Sequence, residues 1–325
     1  MGYVLGIDGG GTTTTCILMN EDRQVLSRSQ GGPSNYQSIG LDAAGNAIEI
    51  SIAQCLSHPS LPSHITIKGF CLGLAGVGRS KDVKIMQNWV QKFYDRASQS
   101  VSVKWDLKPE NIKIYSDSTI ALVGGIGSEI GIVAIAGTGS QIFGQNKQGK
   151  TKRVGGWGYL LGDEGSGYNI AIGGLQAVLK SYDGRLEETK LTDAFKTHLK
   201  LSEIEGLISV VYRQGWSVKD IAALAPIVAE IAQAGDRVAQ RIIQEALEQL
   251  IWATQVAIND LFLPDESFEI VLVGGVWQIV NFRASYQKAI SAIVPSTHVI
   301  LPRNEPAYGA ALLAWQLMEK KNVLN

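Results

Sequence analysis

The chain has 325 residues and a formal net charge of −1, so neither a basic field for nucleic acid nor an acidic tail for a basic partner stands out. That length suggests about two domains of roughly 100–200 residues each, and no apolar run approaches the roughly 18–20 residues of a membrane span. Cys16, Cys55 and Cys71 are the only cysteines; far apart and without metal spacing, they read as free thiols buried in a reducing cytosol. The first residues, MGYVLGID, run straight into a strand with no basic leader, so a cytoplasmic protein with no membrane or nucleic-acid partner is expected. Glycine is abundant, 36 residues, and clusters in short apolar-flanked loops that suit close backbone approach.

In chain order, YVLGID (3–8) is an apolar strand, GGG (9–11) a tight turn and TTTTCILMN (12–20) a β-branched strand. With RQVLSRSQ (23–30) these predict an opening meander. GGPSNY (31–36) is a loop, and LDAAGNAIEISIAQCL (41–56) has apolar residues at helical spacing. A buried strand, IKGFCLGLAGVG (67–78), ends in glycines; a helix over 83–94, a strand over 111–117 and a short helix over 118–125 follow. The pattern then restarts: strand 130–136, turn GTGS (137–140), strand 141–145, a glycine loop over 153–168, several helices including 237–260, the buried strand FEIVLVGGVW (268–277) and a closing helix over 307–319. Two halves of one topology, offset by roughly 130 residues, are expected.

One segment, GQNKQGKT (144–151), matches the P-loop pattern letter for letter. A P-loop needs a helix at its Lys-Thr, yet KRVGGWG follows, and three glycines in seven residues do not open a helix. Asn146–Gly149 between apolar segments has the chemistry of a hairpin turn instead.

Seven segments in order, IDGGGTTT, LGLAG, YSDS, AGTGS, GGWGYLLGDEGS, LVGGVW and EPAYGAALLA, span almost the whole chain. They resemble the sugar-kinase/actin/Hsp70 superfamily, and within it the N-acetylglucosamine kinase family with its relatives in the BadF/BadG/BcrA/BcrD ATPase group. The resemblance implies an α/β fold of two actin-like (ribonuclease H-like) lobes with the active site in the cleft between them. Residues 1–117 would form the N-terminal lobe, completed by the helix 307–325, and 118–306 the C-terminal lobe. It implies ATP and Mg²⁺ as cofactors and a small amino sugar as partner, and it is compatible with a homodimer.

The resemblance also implies roles for single residues. Gly10, Gly11, Thr12 and Thr13 would hold ATP phosphates, where a turn between strands gathers amides into an anion nest; Thr138 and Gly139 would do the same in the second turn. Asp8 would hold Mg²⁺ through water. Asp117 would accept the proton of the sugar hydroxyl, though an aspartate before Ser-Thr also reads as a helix cap. Gly155, Gly156, Trp157, Asp163 and Glu164 would form the sugar floor, with carboxylates accepting hydrogen bonds from the sugar hydroxyls; Asp163 also reads as a helix N-terminal charge. Asn35 would contact the sugar from the other lobe, or serve only its own turn. Gly274 and Gly275 would lie along the adenosine, with the purine between them and the segment 212–226. Trp216, Trp252 and Trp277 read as core.

The expected function is therefore ATP-dependent phosphorylation of an amino sugar, N-acetylglucosamine to its 6-phosphate. The alternatives are a BadF-type activator ATPase, whose iron–sulfur cysteines have no counterpart here, and a non-catalytic sugar- and ATP-binding regulator.

Overall fold

A computed structural model describes residues 2–97, 103–213 and 215–322. Residues 323–325 of the expected closing helix, and Gln214 of the segment 212–226, lie outside the described residues. The chain forms two compact units, residues 1–129 with 302–325, and residues 130–301.

The first unit opens with the meander β1 (Tyr3–Gly9), β2 (Thr14–Met19) and β3 (Val25–Gly31). A one-turn α1 (Tyr36–Ile39) and α2 (Leu41–Leu56) follow, then β4 (Ile65–Leu74), α3 (Ser80–Ala97), β5 (Val103–Trp105), β6 (Ile112–Ser116) and α4 (Asp117–Ile126). The sheet runs β3-β2-β1-β4-β5, and β6 pairs β4 farther along the same edge. The meander is antiparallel, and β4 is parallel to β1, β5 and β6. Strand alternation sorts β1 between two cores. Leu5 and Ile7 join Ile48, Ile52, Phe70, Trp89 and Phe93 beneath α2 and α3. Val4 joins Ile17, Cys71, Ile120, Val123 and Leu313 on the opposite face.

The second unit repeats the arrangement. It comprises β7 (Gly131–Ala136), β8 (Ser140–Gln145), β9 (Thr151–Gly155), α5 (Gly167–Tyr182), α6 (Leu191–Leu199), the single turn α7 (Gly206–Ile208), α8 (Val218–Ala222), α9 (Ala225–Gln233), α10 (Arg237–Leu261), β10 (Glu269–Val273), α11 (Phe282–Ile293) and β11 (His298–Ile300). Its sheet runs β11-β10-β7-β8-β9, with β7-β8-β9 antiparallel and β10 parallel to β7 and β11. One continuous core, including Ile132, Ile142, Phe195, Leu247, Ile270 and Tyr286, fills it.

The chain returns to the first unit in α12 (Pro306–Asn322). The division thus falls at Glu129/Ile130 rather than the 117/118 read from sequence, because α4 packs on α12. Gly309 of α12 lies so close to the Ile120 carbonyl and to Gly124 that a Cβ there would stand 2.9 Å from the Gly124 Cα. Amides of Arg303 and Asn304 donate to the carbonyls of Gly125 and Gly124 at 3.0 and 3.1 Å.

The P-loop lookalike is a hairpin between β8 and β9. Asn146 Oδ1 accepts from the amides of Gln148 and Lys150 at 3.1 and 3.0 Å, Gly149 sits at φ +77°, and a strand follows where a P-loop would place a helix. Lys150 Nζ pairs with Asp260 Oδ2 at 3.0 Å. Lys150→Ala should therefore leave nucleotide affinity unchanged in a titration with an ATP analogue. A loss beyond tenfold, about 1.4 kcal/mol, would restore the P-loop reading.

Candidate active site

The turn between β1 and β2 is closed by the Gly10 amide on the Thr13 carbonyl, 2.9 Å. Gly11, Thr12 and Thr13 are exposed, and among the described residues no acceptor meets their amides. The β7–β8 turn repeats this. Gly137 closes it on the Gly139 carbonyl at 2.9 Å, and the amides of Thr138 and Gly139 are left without a protein acceptor among the described residues. Clustered unpartnered amides suit phosphate oxygens.

Asp8 stands at the end of β1, beside that turn. Burial, then the charges of Asp117 and Glu305, push its pKa up to about 7. Mutual repulsion among three carboxylates is what a divalent cation relieves, so the side chains present suit Mg²⁺. Among the described residues no three His, Cys, Asp or Glu side chains gather tightly enough to hold an ion directly. Glu305 was not singled out by the sequence, although it lies in the EPAYGAALLA segment; it also receives the Arg28 guanidinium at 3.0 Å.

The pKa has a consequence for stability. The folded value lies above the unfolded 3.8, so the fold's preference for protonated Asp8 is fully present below about pH 4 and is lost as pH rises through about 7. Asp8→Asn should accordingly raise the stability of metal-free protein at pH 8 by on the order of 4 kcal/mol, and much less at pH 4.5. Thermal melts at both pH values check this; a pH-independent difference would contradict it.

Asp117 is the first residue of α4 and not its cap. Ser116 caps the helix by accepting from the Thr119 amide, and Asp117 Oδ1 accepts from the Ser118 amide at 2.8 Å. Strand β6 ends at Ser116, so its pairing with β4 in parallel with β1 brings Asp117 to the same sheet end as Asp8.

Asn35 caps α1, its Oδ1 accepting from the Gln37 amide at 3.1 Å. Its Nδ2 meets no acceptor among the described residues. Tyr36 beside it donates to Asp82 Oδ1 at 2.6 Å, and Gln37 Nε2 to the Gly76 carbonyl at 2.6 Å, which holds the loop against the end of β4.

In the second unit the 155–166 loop follows β9. Arg153 donates to the carbonyls of Gly155 and Gly156 at 3.3 and 3.0 Å and lies 5.0 Å from the exposed Trp157 ring. Asp163 is buried in a left-handed conformation, φ +59°. Burial pushes its carboxyl pKa up against the pull of the Gly158 and Ser140 amides, which donate to it. It does not cap α5; Ser166 does, accepting from the Asn169 amide at 3.1 Å. Glu164 is exposed.

Gly274 follows β10 at φ +114°, and a Cβ there would meet the backbone of Ala136 and stand 2.8 Å from the Gly137 amide nitrogen. The Gly274–Gly275 loop thus lies flush on the second turn. Trp277 is core, its Nε1 donating to the Ala134 carbonyl at 3.1 Å, whereas Trp252 is 65% exposed, against the expectation from size alone. All three thiols are free and buried, and Cys55 Sγ lies 3.0 Å from Ser27 Oγ. Among the described residues no helix is long and apolar enough to cross a membrane.

Known proteins are similar to this chain. An N-acetylmuramic acid/N-acetylglucosamine kinase of Clostridium acetobutylicum is 33% identical over 315 residues, covering 97% of this chain and 98% of that protein. An N-acetyl-D-glucosamine kinase of Dictyostelium discoideum is 34% identical over 322 residues, covering 95% and 97%. A proposed N-acetylglucosamine kinase from Chromobacterium violaceum superposes with a TM-score of 0.74 at 25% identity, over 97% and 99% of the two chains. The model of the BadF/BadG/BcrA/BcrD ATPase family matches residues 5–314, and with that nearly full-length agreement the chain belongs to this family.

Proposed function

We propose that this protein is an ATP-dependent amino-sugar kinase that phosphorylates N-acetylglucosamine on its 6-hydroxyl. The observation that carries the reading is near-full-length similarity to two amino-sugar kinases; the carboxylate Asp117 beside Asp8 fits the chemistry.

In this reading the amides of Gly11, Thr12, Thr13, Thr138 and Gly139 receive the phosphate oxygens of ATP, with the threonine hydroxyls as further donors. The positions of these amides are set before ATP arrives, so they stabilise developing charge without reorganising. Gly274 and Gly275 give the adenosine a flat backbone surface. Asn35 Nδ2 donates to the sugar, while Gly155, Gly156, Trp157, Asp163 and Glu164 bind it from the 155–166 loop. Asp117 accepts the proton of the attacking hydroxyl as its oxygen bonds the γ-phosphorus and the bond to the β-phosphate oxygen breaks, giving ADP and a sugar phosphate. Mg²⁺, when held through water by Asp8, would neutralise charge on the phosphate oxygens.

The test is ADP release over a panel of N-acetylglucosamine, glucosamine, N-acetylmannosamine and N-acetylmuramic acid. The highest kcat/KM is expected with N-acetylglucosamine. ATP turnover that no sugar accelerates would sink the reading.

A further inference from the structure

Each of the two phosphate turns is bonded to a proposed sugar loop within its own unit. In the first unit the Gly10 carbonyl accepts from the amides of Ser34 and Asn35 at 3.0 and 3.2 Å. Thr14 Oγ1 donates to the Gly32 carbonyl at 2.7 Å and lies 2.8 Å from Ser34 Oγ. Ser34 is 1% exposed, and its side chain fills the space where Gly9 lacks a Cβ. The residue that presents Asn35 is therefore seated on the turn that presents Thr12 and Thr13.

The second unit reaches the same result with different residues. The amides of Gly167 and Tyr168 donate to the carbonyls of Gly137 and Thr138 at 2.8 and 3.3 Å. Ser140 Oγ donates to the Glu164 carbonyl at 2.7 Å. The Asp163 carboxylate takes amides from both sides, Ser140 at the turn and Gly158 at the sugar loop. Its Oδ2 lies 2.7 Å from where a Gly139 Cβ would stand. A left-handed aspartate is costly; here that backbone turns the carboxylate toward the phosphate turn.

We propose that Ser34 is a positioning residue and that Asp163, besides contacting the sugar, has the same effect in the second unit, each joining sugar loop to phosphate turn so that sugar and nucleotide strengthen each other's binding. A ligand that orders one segment orders its bonded neighbour, and the second ligand then has less freedom to remove. The effect is reciprocal: sugar tightens nucleotide by the same factor as nucleotide tightens sugar. The inference rests on the kinase reading and adds to it that the two sites communicate inside each unit.

The experiment is calorimetric titration of the full chain with adenylyl imidodiphosphate, with and without saturating N-acetylglucosamine, and the reverse titration. Wild type should show one coupling factor in both directions, about 5-fold or more. Ser34→Ala removes the hydroxyl that meets Thr14 and leaves the second-unit link intact, so it should lower that factor at least twofold while sugar affinity measured alone changes less than threefold. Asp163→Asn keeps one acceptor and loses the other, so it should weaken nucleotide binding without any sugar present, a readout that a purely sugar-touching residue would not move. Gly139→Ala, whose methyl displaces the carboxylate, should copy it if Asp163→Asn does not fold. Unchanged coupling in Ser34→Ala, or unchanged nucleotide affinity in both second-unit variants, would overturn the proposal. Wild type that binds both ligands independently overturns the coupling alone; wild type that binds nucleotide and no amino sugar overturns the kinase reading with it.

Discussion

Asp117→Asn should lower kcat by about 10²–10⁴-fold, the usual worth of a general base. Helix capping does not confuse the experiment, because Ser116 caps α4. Asparagine keeps an oxygen for the Ser118 amide that Asp117 now holds at 2.8 Å. The sugar KM should change less than kcat, since the carboxamide still hydrogen-bonds the hydroxyl. The variant also removes one of the charges that raise the Asp8 pKa, so the melting midpoint at pH 8 should stay level or rise slightly. A kinetic collapse could not then be assigned to unfolding. Steady-state kinetics check this, and turnover within threefold of wild type would remove Asp117 from the mechanism.

Gly309→Ala should destabilise the protein by about 3 kcal/mol or more, at the upper end of overpacking costs. The added methyl would overlap the Ile120 carbonyl and stand 2.9 Å from the Gly124 Cα. Both are helix backbone, which has no rotamer to yield. Because α4 carries Asp117 at its start, the residual folded protein should lose activity as well. Gly127→Ala is the control: its φ is +83°, yet nothing lies within 4 Å of the added Cβ. It should cost only about 1–2 kcal/mol for the left-handed backbone. Urea unfolding of the two variants gives the comparison, and equal losses would contradict the view that α12 holds α4 by close contact.

Local signals carried much of the fold. The helix read over 41–56 is α2 to the residue, because Ala44, Ile48, Ile52 and Cys55 keep one face. The glycine-threonine turns were legible because strand, turn and strand are adjacent in sequence. Strands β5 and β11, three residues each, were not, since so short a run has no period to read. Strand β9 was hidden inside a glycine-rich stretch, where pairing with β8 rather than propensity makes the strand. The unit boundary was missed for a related reason: α4 belongs to the first unit through a glycine contact with a helix near the other end of the chain.

The candidate site divides the same way. Motif residues such as Asp8, Thr12 and Asp117 could be named from sequence. Glu305 could not be matched to Asp8 until the fold brought them close. Ser34 was one letter in a loop chosen for Asn35, and only the backbone bonds to Gly10 give it a part. Asp163 was read for its charge, whereas its left-handed backbone and the two amides it accepts belong to the tertiary structure.

The most direct test of the central claim is the identity of the phosphate acceptor. Protein, ATP, Mg²⁺ and N-acetylglucosamine should yield a phosphate monoester whose phosphorus couples to the two protons on carbon 6 in a proton–phosphorus NMR correlation, with ADP formed in equal amount. ATP consumed to free phosphate with the sugar unmodified, as a sugar-independent ATPase would do, would contradict it.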